Sequence, residues 1–180
     1  VIASQEQGFS VDSDGFEKCM EEQRKRSGKK MKHTENKIEL PKSVQTGFVG
    51  YQETTTNSKI VSLLVDNKTV NNVSEGQECW VITEQCPFFV AMGGQVDDTG
   101  WVVIDGKKAP FTALKKIDKA IAFKIKAPVA SKVGDTISQH VEEQVRKDTM
   151  NNHTGTHLLQ AALIELLGKQ VKQSGSVVDP

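Results

Sequence analysis

The chain has 180 residues, 37% of them hydrophobic, enough for one large or two small domains with a packed core. Its 23 Lys and Arg balance 23 Asp and Glu, so no global charge marks a nucleic-acid partner. There is no apolar run long enough to span a bilayer and no signal-peptide pattern, and three cysteines without CxxC spacing suit reduced thiols in a cytoplasmic compartment better than a disulfide framework.

In chain order, the first unit is residues 1–40. Asp12 or Ser13 caps a helix whose apolar side is Phe16, Cys19 and Met20. Arg24, Lys25, Arg26, Lys29, Lys30 and Lys32 form a basic tail on it. That tail reads either as a solvated helix end, with Glu17, Glu21 and Glu22 as i, i+4 partners, or as a phosphate contact. Residues 33–41, of mixed polarity and ending in Pro41, read as a linker.

The hydrophobic period then falls to two. Strands are predicted at Thr46–Gln52, Ser58–Val65, Lys68–Val73, Glu78–Thr83, Trp101–Asp105, Phe111–Ile117 and Ala120–Lys126, with turn signals at Asp66-Asn67, Ser74-Glu75-Gly76, Asp105-Gly106 and Asp118. So many short strands at close spacing predict a small closed or partly closed barrel over residues 41–127. An oligonucleotide-binding barrel fits the same pattern, but aromatics at alternating strand positions are too few for a base-stacking platform. Pro128 marks a boundary, Ile137–Glu143 returns to extended structure with His140 in a structural place, and residues 128–180 begin an α+β subdomain. The fold class is therefore α+β.

Two phrases carry chemistry. In CPFFVAMGGQVDDTGWV (Cys86 to Val102), Gly93-Gly94 permits a sharp turn or close backbone approach, and Gln95 then offers a neutral amide that can orient an ester or a water. A plain structural turn accounts for the same residues. In NNHTGTHLLQAALIELLG (Asn151 to Gly168), Thr149, Asn151 or Asn152 is placed to cap a helix that stops at Gly168. Leu159, Ala162, Leu163, Leu166 and Leu167 form a stripe of the kind that packs on a core. His153 and His157, four apart, stack on one face, where two imidazoles can hold one divalent ion or serve the structure alone. Thr154 and Gly155 stand where a zincin helix would carry its Glu, which argues against a metallopeptidase of that type.

The wording around these residues adds a resemblance. HTGTHLLQAALIELLG with the following VKQSGSVV, the CPFF…GGQ…DTGW phrase, and VDSDGFEKCMEEQRKRSGKK near the start together resemble alanyl-tRNA synthetase, over nearly the whole chain. The resemblance implies the end of the helical tRNA-recognition region (1–40), the editing-domain barrel (41–127) and the first part of a zinc-bearing editing subdomain (128–180). It implies zinc on His153 and His157, with a Cys and a His of a CxxxH arrangement lying beyond Pro180. It further implies Gln95 as a catalytic orienting group, Thr154 and Thr156 lining the pocket, and Arg146 touching the acceptor end of alanine tRNA. ATP and Mg would serve the parent enzyme and not this region. Val1 in place of an initiator Met, and an ending at Pro180 in mid-phrase, read as a piece of a longer protein. The free-standing editing deacylases are similar over the histidine phrase but are disfavoured by residues 11–32. Where the family has Glu-Ser before GGQ, this chain has Ala91-Met92, which turns a polar wall apolar and bears on selectivity; where the family has Ala, it has Gly155.

Overall fold

A computed structural model of the chain describes residues 12–27, 40 and 44–180. Residues 1–37 and 38–180 form two separate compact units. In the first, helix α1 spans Ser13–Ser27, and the Asp12 carboxylate accepts the Gly15 N–H at 2.9 Å, which makes Asp12 the cap. Phe16 and Cys19 are exposed and Met20 is half-buried. The side chains of Arg24, Lys25 and Arg26, the residues Lys29, Lys30 and Lys32, and the linker apart from Leu40 lie outside the described residues.

The second unit is a barrel followed by a long helix. Its strands are β1 Gly47–Phe48, β2 Thr55–Val65, β3 Lys68–Val70, β4 Asn72–Val73, β5 Glu78–Thr83, β6 Gln85–Cys86, β7 Gly100–Ile104, β8 Lys107–Ile117, β9 Ala120–Lys126, β10 Ser131–Lys132 and β11 Thr136–Val141. Six of them close a ring in the order β11-β7-β8-β9-β5-β2, with β2 returning to β11, and every pairing in the ring is antiparallel. Asp66 and Asn67 at the β2–β3 turn, and Asp105 and Gly106 at the β7–β8 turn, all take positive φ, the geometry that matches the twist of two-residue hairpins. The predicted turns are thus present, and β5 and β9 have the predicted bounds.

Three predictions about the strands need correction. Thr46–Gln52 yields only the two-residue β1, because the chain then turns and the Val49 carbonyl accepts both Gln52 N–H (3.0 Å) and Glu53 N–H (3.1 Å). The predicted Lys68–Val73 strand breaks at Asn71, whose carbonyl is taken by Val133 N–H at 2.9 Å. The barrel also does not end at residue 127. β11 closes it by pairing with both β2 and β7, so the expected boundary at Pro128 falls inside the barrel, which runs on to Val141.

Alternation along β2 sends Ser58 and Ile60 inward, and a register irregularity between Ile60 and Ser62 then moves the following residues to new faces. As a result Leu63 joins the barrel core while Leu64 joins a smaller cluster with Ile82, Ile117, Ala120 and Ala122, covered by Leu40 and Val44. The main core is centred on Phe88 and Phe123, both 0% exposed, with Phe111 4.4 Å from Phe88 by ring centroids. Trp101 on β7 is stacked by His140 of β11 at 5.4 Å and approached by the Lys108 ammonium at 3.6 Å, so its ring is occupied by its own neighbours and is no open base-stacking platform.

Helix α2 spans Glu143–Leu167. It begins eight residues before Asn151, so Thr149, Asn151 and Asn152 lie within it and are not caps; Glu142 occupies the N-cap position without a side-chain bond. Its C-terminal stop is the predicted one: Gly168 has φ 102° and its N–H donates to the Ile164 carbonyl at 2.9 Å. The leucine stripe is the larger correction. Leu159, Leu166 and Leu167 are 61%, 80% and 59% exposed, whereas the buried residues of the helix are Arg146 and Thr149. With half-buried His153, Thr156, Gln160 and Leu163, those two form one line at i, i+3, i+7, i+10, i+14 and i+17, so α2 turns a mainly polar face toward the protein and Leu163 is the leucine of the predicted stripe that shares it. No helix among the described residues is long and apolar enough to cross a membrane.

Candidate active site

The loop between β6 and β7 carries the glycine pair. Gly93 and Gly94 have φ of 64° and 91°, and Met92 and Gln95 exchange backbone hydrogen bonds at 3.2 Å around them, so the chain reverses tightly at residues 92–95, exposed except for half-buried Gln95. Two aspartates brace the loop: Asp97 accepts Ala91 N–H at 2.5 Å and Asp98 accepts Phe89 N–H at 2.6 Å. The segment after α2 then returns across it. Val178 N–H donates to the Gly94 carbonyl at 2.8 Å, Val96 N–H donates to the Val178 carbonyl at 3.1 Å, and Val178 is 2% exposed. A Cβ on residue 94 would stand 2.6 Å from the Ser176 carbonyl oxygen, which explains the second glycine beyond its φ. Asn152 ties the same segment to α2 by donating to the Asp179 carbonyl at 2.8 Å.

Loop, helix and returning segment meet at Gln95. Its Oε1 lies 2.9 Å from His153 Nδ1. An amide oxygen only accepts, so Nδ1 carries the proton, the arrangement that in a neutral ring leaves the Nε2 lone pair for a metal. The His153 and His157 rings are stacked with centroids 5.1 Å apart and planes 19° from parallel. Two imidazoles on adjacent turns, one oriented by an outer partner, fit one side of a zinc site; a tetrahedral zinc needs further donors. Among the described residues, no group of three or more His, Cys, Asp and Glu comes together to hold an ion. Cys79 and Cys86 are inside the barrel, and burial pushes their thiols up to about 11 and about 12, which keeps them protonated and unsuited to metal.

The other expected residues separate. Thr156 is half-buried on the His153 face, its hydroxyl donating to the Asn152 carbonyl at 2.9 Å, while Thr154 is exposed and donates to Met150 at 3.1 Å. Ala91 and Met92 are exposed on the loop, Met92 by 62%. Arg146 departs from the expectation of a tRNA contact. It is 8% exposed, and its guanidinium donates to the Gly50 carbonyl (2.8 Å), the Pro87 carbonyl (2.6 Å) and both oxygens of Asp98, so the interior has taken the donors a phosphate would need. Asp98, 7% exposed, escaped the sequence reading because it sits in a turn-like Asp-Asp-Thr-Gly run; the signal that could have found its partner is the polar i, i+7 pairing of Arg146 with His153.

Comparison with known proteins decides the family. Residues 2–145 match the family of tRNA synthetases class II (A). The chain belongs to that family. Within it, the chain is 36% identical over 185 residues to an alanine–tRNA ligase of Dehalococcoides mccartyi, 37% over 186 residues to that of Solibacter usitatus and 34% over 177 residues to that of Idiomarina loihiensis. These alignments cover 97%, 98% and 98% of the chain but only 21%, 21% and 20% of the ligases. The chain thus spans about a fifth of the length of these relatives. Its match to the class II (A) family stops short of His153 and His157, which the alignments to the ligases take in.

Proposed function

We propose that this chain is the editing region of an alanine–tRNA ligase, which releases serine or glycine wrongly esterified to alanine tRNA, and that the parent enzyme charges that tRNA with alanine using ATP and Mg in the cytoplasm. The observation that carries the reading is the 2.9 Å contact between Gln95 and His153, which joins the two chemistry-bearing phrases across 58 residues of chain at one place beside His157. With Gln95 Oε1 accepting from the imidazole, its amide N–H groups are the donors left for the ester carbonyl or for the attacking water. His153 and His157 would hold zinc, the remaining ligands coming from the parent enzyme. When bound, the metal supplies a Lewis acid or an anchor for the terminal ribose. Thr156, on the same face, borders the space in which the aminoacyl group would sit. Exposed Ala91 and Met92 give that space a less polar rim than the family's Glu-Ser and would alter the serine-to-glycine preference.

In the parent-length enzyme, Gln95→Ala and His157→Ala should each slow release of serine from Ser-tRNA(Ala) on the order of 100-fold and leave alanine attachment unchanged. Equal deacylation by His157→Ala and the unaltered enzyme would remove the editing assignment and leave an RNA-binding barrel.

A further inference from the structure

Two side-chain pairs join the 95–98 limb of the glutamine loop to α2, beside a backbone bond from Glu142 N–H at the helix N-cap to the Thr99 carbonyl (2.8 Å), and only one of the pairs is at the candidate site. Gln95 meets His153, and Asp98, three residues on, meets Arg146, seven residues back along the helix. Three residues of extended chain cover about 10 Å. Seven residues of α-helix rise about 10.5 Å. The spacing on the loop therefore matches the spacing on the helix, with the two segments running in opposite senses. Sliding the loop by one residue would part both pairs together.

The Asp98 end is the firmer of the two. The side chains of Arg146 and Asp98 are 9% and 4% exposed. The Gly50 and Pro87 carbonyls accept from the same guanidinium, and Phe89 N–H donates to the same carboxylate. Neither partner can leave without stranding a charge in a poorly solvating interior. The Gln95–His153 contact is a half-buried neutral bond and holds little by itself.

We infer that Arg146 and Asp98 are the positioning pair that sets Gln95 against His153 and so keeps the His153 proton on Nδ1. As a device of the editing site this rests on the function proposed above; as a statement about loop register it does not, and its test uses neither tRNA nor metal. In this chain, two-dimensional ¹H–¹⁵N spectra of the imidazoles report which nitrogen of each histidine carries the proton. In the unaltered chain His153 should be almost wholly Nδ1–H. Gln95→Leu removes the partner and should move His153 to the Nε2–H form that free imidazole side chains favour. Arg146→Lys keeps the charge but not the forked set of bonds, and should move His153 the same way and nearly as far. His140, held by Thr55 at 3.3 Å and Ser138 at 3.0 Å, should not change. If Arg146→Lys loses the barrel's amide spectrum, Asp98→Asn is read instead. A folded variant of either kind with His153 unchanged would overturn the inference. So would unfolding of both variants, since the pair would then be holding the barrel and not the register. Loss of the editing assignment through His157→Ala would leave this result standing.

Discussion

The barrel and helix α2 differ in what they turn inward. In the barrel, Phe88, Phe123, Ile60 and Val81 are at most 1% exposed and meet other hydrocarbon. On α2 the inward line is Arg146, Thr149, His153, Thr156 and Gln160, joined by half-buried Leu163, while Leu158, Leu159, Leu166 and Leu167 lie outward. Burial of apolar area holds the first, at roughly 25 cal/mol per Å² and with little regard to direction. Directional bonds of fixed length hold the second, and each is lost if its partners move by an ångström or two. A scaffold of the first kind tolerates the second because the helix needs only to be placed, not to supply the stability of the fold. A polar face is also what a site needs, since side chains able to ligate, donate or accept must be presented where substrate can reach them.

The comparison can be broken at several points. The largest effect belongs to the barrel: Phe123→Ala removes a fully buried ring that touches Phe88 at 5.4 Å and should cost about 3–5 kcal/mol in urea unfolding. A loss under about 1 kcal/mol would mean that the core collapses around the gap and is less rigid than described. Next is alkaline titration of the barrel thiols. Burial raises Cys86 from the ordinary 9.0 to about 12 in the folded state, so its contribution to stability is complete below about 9 and is lost as pH rises toward 12. Between those limits its thiolate should be scarcer by up to about a thousandfold than in unfolded chain, and labelling at pH 9 should spare Cys86 while exposed Cys19 reacts. Equal labelling of the two would show that the barrel opens readily.

Smaller effects sharpen the other side. Gly94→Ala puts a side chain at φ 91° against the Ser176 carbonyl and should cost about 1–3 kcal/mol, with loss of hydrogen-exchange protection at Val178 N–H while the barrel amides keep theirs. Unchanged protection would place Val178 independently of the glycine turn. Gly155→Ala, where nothing lies within 4 Å of the added carbon, should raise stability by about 0.5–1 kcal/mol through helix propensity alone. A decrease in thermal stability would mean that the exposed side of α2 is not as open as its leucines indicate.

Much of the barrel was legible because its signals are local. Period-two alternation and Asp-Asn or Asp-Gly turns are written in consecutive residues, and β5 and β9 came out with the predicted ends. Closure was not legible to its last strand: β11 is only six residues, and its membership depends on partners at Thr55–Lys59 and Gly100–Val103, far off in sequence. The beginning of α2 was missed because no side chain caps Glu142; Arg146 fastens the first turns through Asp98, 48 residues away. The leucine stripe went wrong for a related reason. Helical period states which residues share a face, but which face is inward depends on what else is there to meet it, and a buried ion pair together with a histidine–amide bond outweighed hydrocarbon. Gln95 and His153 were each visible as residues of interest, and their contact was not, because the chain between them contains four of the six ring strands.

Closing six strands into a ring also settles how this region can meet another polymer. Each ring strand has two strand neighbours within the ring, though the two longest share them along their length: β8 pairs with β7 over Lys107–Pro110 and with β9 over Phe111–Ile117; the hairpin strand β3 has three residues. Among the described residues the ring thus has no free end strand beyond β3, which favours recognition over the rim, where the loops stand, above sheet extension.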